Sequence, residues 1–258
     1  MNIMVMAGTK DAANIIKKLK SAGKFKVLAT TTTKYGAEIA KTAGADEVLS
    51  GRLDEKDLTD LIKTGEIKVL VDATHPFAAA ATKNAINASE ATGIKYIRFE
   101  RPEENLIEDN LIHNVFSFEE AALKVLEITG KNGRILHLAG VSTLNHITEM
   151  VENNRIFARV LPSADSIQKC LDLGLKQENI IAMQGTFSEN FNKALIEEYN
   201  ISVIVTKESG ETGGTVSKIN AALNSGIDTV IVIRPEVTEL KNKTIFTSVN
   251  DLCSFLNK

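Results

Sequence analysis

Acid–base and anion-binding side chains occur together in Asp72-Ala-Thr-His-Pro76, directly after an apolar run rich in β-branched residues. Such a run predicts a buried parallel strand, and the alanines after Pro76 predict a helix that Pro76 opens. The backbone N–H groups of a helix start favour ligands at this kind of turn, so Thr74 and His75 are candidate ligand contacts. The residue types equally allow a structural interpretation, in which Asp72 and Thr74 cap the helix and His75 packs.

Two further polar turns follow strand-like segments in the first half of the chain. Gly8-Thr9 comes after Asn2–Met6 and would let a phosphate approach the backbone, although the G-x-G-x-x-G fingerprint of dinucleotide sites is absent from this sequence. The turn Thr30–Gly36 carries hydroxyls and Lys34 where an enzyme that selects NAD usually places an acidic residue. This composition would admit a 2′-phosphate, and a solvated threonine-rich loop explains it as well.

In the second half, glycines and cations occur together in the turn 206–215 and in the helix predicted after it. Glycines permit a close backbone approach, and Lys207 and Lys218 supply positive charge, which suits phosphate or carboxylate. The turn is not a P-loop, because Thr215 follows Gly214 where that motif needs lysine.

Two other features of the strand ends carry functional groups. Gln184–Ser188 offers an amide, a glycine and two hydroxyls before a predicted helix. The pairs Arg101-Pro102 and Arg234-Pro235 each end a predicted strand, either as ligand residues or as strand terminators.

Strand-like and helix-like segments alternate along the whole chain, which predicts an α/β fold with mainly parallel sheets. Pro102 and the polar residues after it mark a boundary between halves. We therefore expect an N-terminal α/β domain over residues 1–103 and a C-terminal α/β domain over residues 104–258.

Composition narrows the class of protein. The chain has 258 residues, of which 43% are hydrophobic, with 30 basic and 33 acidic residues and a net charge of −3. Mixed charges near balance argue against a nucleic-acid partner. Cys170 and Cys253 are far apart and predict neither a disulfide framework nor a metal site. Without an export signal or an apolar membrane segment, we expect a cytoplasmic protein with no membrane contact.

Taken in order, these turns resemble the precorrin-6A reductase family of cobalamin biosynthesis, which includes cobalt-precorrin-6A reductases. The resemblance covers nearly the whole chain and is most specific around Asp72–Ala78 and Lys207–Lys218. Two positions depart from the family pattern: Ala7 replaces a glycine, and Thr186 replaces a proline. The matching motifs are Gly8-Thr9, Tyr35-Gly36, Asp72–Ala78, Arg98, Arg101-Pro102, Gln184–Ser188, Thr206–Gly210, Gly213-Gly214, Lys218 and Arg234-Pro235.

The resemblance implies an enzyme with two Rossmann-like domains, helices on both faces of each sheet and an active site in the interdomain cleft. It implies reduction of one double bond of precorrin-6A or cobalt-precorrin-6A, to the 6B form, with NADPH or NADH as hydride donor. Transient contact with neighbouring enzymes of the cobalamin pathway is a further expectation.

A corrin precursor is a flat polycarboxylate, so the resemblance implies local cations and backbone donors that hold it. His75 is a candidate catalytic proton donor, with water or a substrate carboxylate as alternatives, and Asp72 is expected to hold the turn. The implied substrate-binding residues are Thr74, His75, Arg98, Arg101, Lys207, Ser209, Gly210, Lys218 and Arg234. The implied cofactor-binding residues are Gly8, Thr9, Thr31, Tyr35, Gly36, Gln184, Gly185, Thr186, Gly213 and Gly214.

Two alternatives stay open at this point. The first is another NAD(P)-dependent small-molecule reductase or epimerase on a doubly wound scaffold, but such enzymes generally show the full glycine fingerprint and a Tyr-x-x-x-Lys pair, which this sequence lacks. The second is a two-lobed ligand-binding protein without enzymatic activity, a class that is normally exported.

Overall fold

The computed structural model describes residues 1–102, 108–209 and 214–257. Gly210 and Gly213, two of the predicted ligand-binding residues, lie outside the described residues. The chain divides into two compact units, of which the first comprises Met1–Pro102 together with Pro235–Lys258, and the second ends at Arg234. Each unit is built around one six-stranded sheet.

The elements alternate between strand and helix as predicted. The first run is β1 (Asn2–Met6), α1 (Lys10–Ser21), β2 (Lys26–Thr31), α2 (Lys34–Thr42), β3 (Glu47–Ser50), α3 (Glu55–Thr64), β4 (Val69–Asp72), α4 (Ala79–Thr92) and β5 (Lys95–Phe99). The second run is β6 (Ile112–Val115), α5 (Phe118–Thr129), β7 (Arg134–His137), α6 (Leu144–Thr148), β8 (Ile156–Val160), α7 (Ala164–Asp172), β9 (Ile180–Ala182), α8 (Glu189–Glu198), β10 (Ile201–Lys207), α9 (Thr215–Asn224) and β11 (Asp228–Val232). The chain ends with β12 (Thr244–Phe246) and α10 (Val249–Asn257).

Both sheets are parallel and share one topology. The first has the order β12-β5-β4-β1-β2-β3, and the second has the order β6-β11-β10-β7-β8-β9. Five strands of each sheet follow the doubly wound order 3-2-1-4-5, and a sixth strand lies beside the fifth. The prediction of two Rossmann-like α/β units with parallel sheets is therefore confirmed.

The prediction that the C-terminal domain spans residues 104–258 is wrong at its end, because residues 235–258 belong to the first unit. The strand β12 pairs with β5 along Ile97–Phe99, and α10 buries Leu252, Cys253 and Leu256 in the core of the first unit. The chain thus leaves the first unit after Pro102 and returns to it after Arg234. The two Arg-Pro pairs mark these two passages.

Alternating side chains supply the cores on both faces of the first sheet. Ile3 and Val5 pack in the cluster that includes α1 and α10, whereas Met4 and Met6 pack in the cluster that includes α3 and α4. Most helices begin at a hydroxyl or carboxylate that accepts a hydrogen bond from the first turn, which fixes where each strand-to-helix loop ends. These capping residues are Thr9, Thr33, Asp54, Ser117, Ser163 and Ser188.

The described helices include none that is both long enough and apolar enough to span a membrane.

Candidate active site

The carboxyl edge of each sheet contains the crevice at which doubly wound folds bind ligands. This crevice opens between the first and fourth strands of the 3-2-1-4-5 order, because their following loops diverge there. In the first unit these strands are β1 and β4, whose loops hold Gly8-Thr9 and Thr74-His75. In the second unit they are β7 and β10, which pair directly, and Lys207 ends β10.

Asp72 is the centre of a buried polar cluster at the end of β4. Its side chain is fully buried, and Oδ1 accepts hydrogen bonds from the backbone N–H (3.0 Å) and the hydroxyl (2.7 Å) of Thr74. Oδ1 also lies 2.9 Å from Nη1 of Arg98, and Oδ2 accepts from the Tyr96 hydroxyl at 2.9 Å. Four donors therefore fix this carboxylate, which in turn fixes the first residues of the loop.

Arg98 lies inside this cluster and not on the surface. Its side chain is 2% exposed, and Nη1 also donates to the hydroxyls of Thr74 (3.0 Å) and Thr82 (3.4 Å). Arg98 stands directly opposite Asp72 in the pairing of β5 with β4, which explains why the two charges meet. The predicted substrate contact for Arg98 does not match this placement, because the guanidinium is engaged by its own chain.

Tyr96 serves the cluster as a neutral donor. Burial raises the pKa of its phenol, and the negative charge of Asp72 raises it further. The hydroxyl therefore stays protonated and donates a hydrogen bond to Asp72. Sequence reasoning did not single out Tyr96, although it lies two residues before Arg98 and so on the same face of β5.

The loop after Asp72 differs from the predicted helix start. Pro76 does not open the helix, since α4 begins at Ala79. The N-cap residue is Ala78, and no side chain caps the first turn. The capping interpretation of Asp72 and Thr74 is therefore wrong. A turn closed by the Ala78 N–H donating to the His75 carbonyl (2.8 Å) occupies the residues before the helix.

His75 is partly exposed on this turn. Its Nδ1 accepts a hydrogen bond from the Phe77 backbone N–H at 3.2 Å, and the two rings pack with centroids 5.7 Å apart. Nδ1 is therefore the acceptor that ties the ring to the backbone of this turn.

The turn after β1 combines a glycine in the left-handed region with a capping hydroxyl. Gly8 has φ +114°, and a Cβ placed on it would meet no described residue within 4 Å, so its backbone is open toward that side. The Thr9 hydroxyl accepts from the Ala12 N–H and donates to the Ala73 carbonyl at 3.0 Å. Thr9 therefore ties the loop after β1 to the loop after β4.

The turn after β2 is organised by its own hydroxyls. The Thr31 hydroxyl donates to the Thr33 carbonyl at 3.1 Å, and the Thr33 hydroxyl accepts from the Gly36 N–H at 3.0 Å. A Cβ on Gly36 would lie 3.1 Å from Thr33 Oγ1, a tight contact that favours glycine there. Tyr35 is 42% exposed on α2.

Two more of the predicted substrate cations lie in ion pairs. Arg101 Nε lies 2.6 Å from Asp11 Oδ2, in the first turn of α1. Arg234 contacts both carboxylate oxygens of Glu208, with Nε to Oε2 at 2.5 Å, and both side chains are buried. In each pair a carboxylate of the chain neutralises an arginine for which the sequence predicted a substrate contact.

The remaining predicted residues near the end of β10 differ in exposure. Lys207 is partly exposed, whereas Ser209 and Lys218 are buried, and the Ser209 hydroxyl lies 3.3 Å from that of Thr215. Lys207 is thus the predicted cation of this group with the most accessible side chain.

The turn Gln184–Ser188 packs against the start of α9. Gln184, Gly185 and Thr186 are exposed, and a Cβ on Gly214 would lie 2.9 Å from Thr186 Cγ2, which requires glycine at the start of this helix. A pocket of about 480 Å³ opens there, beside the N-termini of α8 and α9. Its lining residues are Thr186, Phe187, Ser188, Glu189, Gly214, Val216, Ser217 and Asn220.

Sequence reasoning missed the loop after β7. Gly140 has φ +92°, with no described residue within 4 Å of the position of a Cβ, and it occupies the place in the second unit that Gly8 has in the first. The signal was a repeated Ala-Gly pair after an apolar strand, Ala7-Gly8 and Ala139-Gly140.

His137 lies beneath that loop and is fully buried. Its Nε2 lies 3.1 Å from the Gly140 carbonyl, which can only accept, so Nε2 carries the proton and Nδ1 has no hydrogen-bond partner among the described residues. Burial lowers the pKa of His137 to about 4, against the Gly140 hydrogen bond that raises it, and the charges of Lys207 and His146 lower it further. His137 is therefore a neutral side chain at neutral pH.

We expect His137 to make the protein less stable in acid. Between the ordinary pKa of 6.5 and the folded value of about 4, the unfolded chain binds more protons than the folded one, so the free energy of unfolding falls as the pH falls. The full loss is about 3 kcal/mol, reached near pH 4. Urea unfolding of the protein and of His137→Gln, which keeps an N–H for Gly140, measures the difference; identical pH dependence of the two proteins would contradict it.

Among the described residues, no group of three or more His, Cys, Asp or Glu side chains is placed to hold a metal ion. The fold and the polar turns at both carboxyl edges define a doubly wound α/β protein of the kind that binds nucleotides and other anionic ligands.

Comparison with known proteins identifies the family. The family described as "Precorrin-6x reductase CbiJ/CobK" matches residues 2–257. A cobalt-precorrin-6A reductase from Methanothermobacter thermautotrophicus is 45% identical over all 258 residues and 84% of its own length, and one from Priestia megaterium is 41% identical over 91% of each chain. A solved structure of "CobK precorrin-6A reductase" has a TM-score of 0.80 at 19% identity and covers 100% of this chain and 96% of its own. The chain belongs to the precorrin-6A reductase family of oxidoreductases.

Proposed function

We propose that the protein reduces one double bond of cobalt-precorrin-6A, giving the 6B form, with NADPH or NADH as the hydride donor. The supporting observation is the identity shared across the chain with proteins of that name: four relatives named cobalt-precorrin-6A reductase share 40–45%. Two relatives named precorrin-6A reductase share 28% and 24%, which favours the cobalt form of the substrate over the metal-free form.

In this reaction a reduced nicotinamide supplies a hydride to one carbon of the double bond, and a proton reaches the other. The turns of both units suit such a nucleotide. The open backbone at Gly8 admits a phosphate, and the end of β2 presents hydroxyls and no carboxylate. The exposed turn 184–186 and Gly214, beside two helix N-termini, offer backbone and hydroxyl donors for further anionic groups.

In this proposal the cationic side chains at the strand ends have two different roles. Lys207 contacts the acetate and propionate groups of the macrocycle, since its side chain is partly exposed at the crevice of the second unit. Arg98 holds the turn after β4 through Asp72, and Arg101 and Arg234 order their own loops through Asp11 and Glu208.

His75 acts in binding more than in proton transfer. A histidine that gives up a proton to substrate must first be an imidazolium, which would break the hydrogen bond that Nδ1 accepts from Phe77. We therefore assign His75 to ligand binding, beside Thr74. Water or a substrate carboxylate supplies the proton.

Purified protein should oxidise NADPH or NADH only when the macrocycle is present, and faster with cobalt-precorrin-6A than with precorrin-6A. The measurement is loss of nicotinamide absorbance for each pairing of the two nucleotides with the two macrocycles, with the product identified by a mass increase of two hydrogens. If none of the four pairings gives oxidation, the assignment as a reductase of this substrate is wrong. Faster turnover of the metal-free form would overturn the preference for cobalt.

A further inference from the structure

Arg159 is a cation near the carboxyl end of β8 whose charge no described carboxylate balances. It is partly buried, it takes part in no ion pair with the residues that the structure describes, and burial alone lowers its pKa to about 10, so it remains charged at neutral pH. Its counterparts Arg98, Arg101 and Arg234 all lie against carboxylates. Keeping an arginine partly out of water without a counterion costs stability, which indicates that an anion completes the site.

The side chain is held in place by two neutral groups of the second unit. Nη1 of Arg159 donates to Oδ1 of Asn192 at 2.7 Å, and the guanidinium lies 4.7 Å from the centroid of the Phe187 ring. The amide of Asn192 cannot turn over, because its Nδ2 donates to the carbonyls of Phe187 (3.4 Å) and Ser188 (2.9 Å). The guanidinium is therefore preorganised by stacking and by one hydrogen bond.

Arg159 makes no other hydrogen bond among the described residues, so most of its five N–H donors are left for a ligand. The Phe187 ring on which it rests also lines the 480 Å³ pocket at the starts of α8 and α9. Glu189, the acidic side chain of that lining, accepts a hydrogen bond from Asn224.

We propose that Arg159 binds an oxyanion, the carboxylate or phosphate of a ligand at the carboxyl edge of the second sheet. The inference rests on the proposed function, which offers two sources of such a group. One is a propionate or acetate of the macrocycle, and the other is a phosphate of the nicotinamide nucleotide. The planar guanidinium can bind either group by donating paired hydrogen bonds to two of its oxygens.

The test compares Arg159→Met and Arg159→Lys with Arg134→Met. Arg134 is a matched control, because it also stacks on a phenylalanine (5.6 Å from the Phe157 centroid) and donates to one oxygen of its own unit, but it begins β7 and so lies at the amino edge. Calorimetric titration of the full chain with each nucleotide and with cobalt-precorrin-6A gives the dissociation constants, and circular dichroism checks the fold.

We expect Arg159→Met to weaken one of the two ligands about 10- to 100-fold, Arg159→Lys to recover part of that loss, and Arg134→Met to bind like the unaltered protein. Loss of macrocycle affinity identifies a carboxylate, and loss of nucleotide affinity identifies a phosphate. Unchanged affinity for both ligands in Arg159→Met would overturn the inference. If Arg159→Met does not fold, Arg159→Lys decides between the same two results.

Failure of the unaltered protein to bind either ligand would count against the proposed function. The role of Arg159 is then decided by thermal shifts with citrate and pyrophosphate as plain oxyanion probes. A larger shift in the unaltered protein than in the Arg159 variants supports the site, and equal shifts refute it.

Discussion

Replacing Arg98 by methionine is expected to lower the free energy of unfolding of the first unit by about 3–5 kcal/mol. The substitution leaves the Asp72 carboxylate, which is fully buried, without its cation, while the Tyr96 and Thr74 donors remain. Desolvation of an unpaired carboxylate costs more than two or three neutral hydrogen bonds return. Urea unfolding followed by circular dichroism measures the loss, and hydrogen exchange localises it to β4 and β5.

The control keeps the charges and removes one neutral donor. Tyr96→Phe deletes the hydroxyl 2.9 Å from Asp72 Oδ2 and is expected to cost about 1–2 kcal/mol. In the double variant Asp72→Asn with Arg98→Met no buried charge is left unpaired, so stability should exceed that of Arg98→Met alone. A loss below that of Tyr96→Phe would show that the ion pair does not hold the turn.

The alternation of strands and helices was predictable because it depends on local patterns. Asn2–Met6 is apolar after its first residue, Lys95–Phe99 contains Tyr96, Ile97 and Phe99, and both segments are strands with these bounds. Thr244–Phe246 is only three residues long, Thr244 and Ile245 are exposed, and its place is at the edge of the first sheet beside Ile97–Phe99. A pairing between distant segments leaves no local trace, so the C-terminal segment was assigned to the wrong unit.

The candidate site was predictable in position and less so in function. Residue types at strand ends showed where polar groups gather, but they could not show which cations already have a partner. Asp11 lies on α1 and Glu208 follows β10, and only the folded chain brings them to Arg101 and Arg234. The sequence did not indicate Arg159 for the converse reason. It lies within a strand, and only the folded structure shows that no described carboxylate pairs with it.

Removal of the Arg234 side chain is the second change with a large expected effect. Arg234→Met should lower the free energy of unfolding of the second unit by about 3–5 kcal/mol, because the Glu208 side chain, only 5% exposed, loses the guanidinium that contacts both of its oxygens. Hydrogen exchange should rise in β10 and β11, the strands that precede the two residues. Unchanged exchange there would contradict a structural role for the pair.

Variants of the Glu208–Arg234 pair also distinguish a structural role for Arg234 from direct substrate contact, the role that the sequence suggested. In the double variant Glu208→Gln with Arg234→Met the buried charge is gone, so stability should return toward that of the unaltered protein. If Arg234 only orders its loop, affinity for cobalt-precorrin-6A returns along with stability. If stability returns while affinity stays low, the guanidinium itself contacts a carboxylate of the macrocycle. We expect the first result, because a guanidinium bound by both oxygens of one carboxylate has already satisfied the geometry that a substrate carboxylate would need.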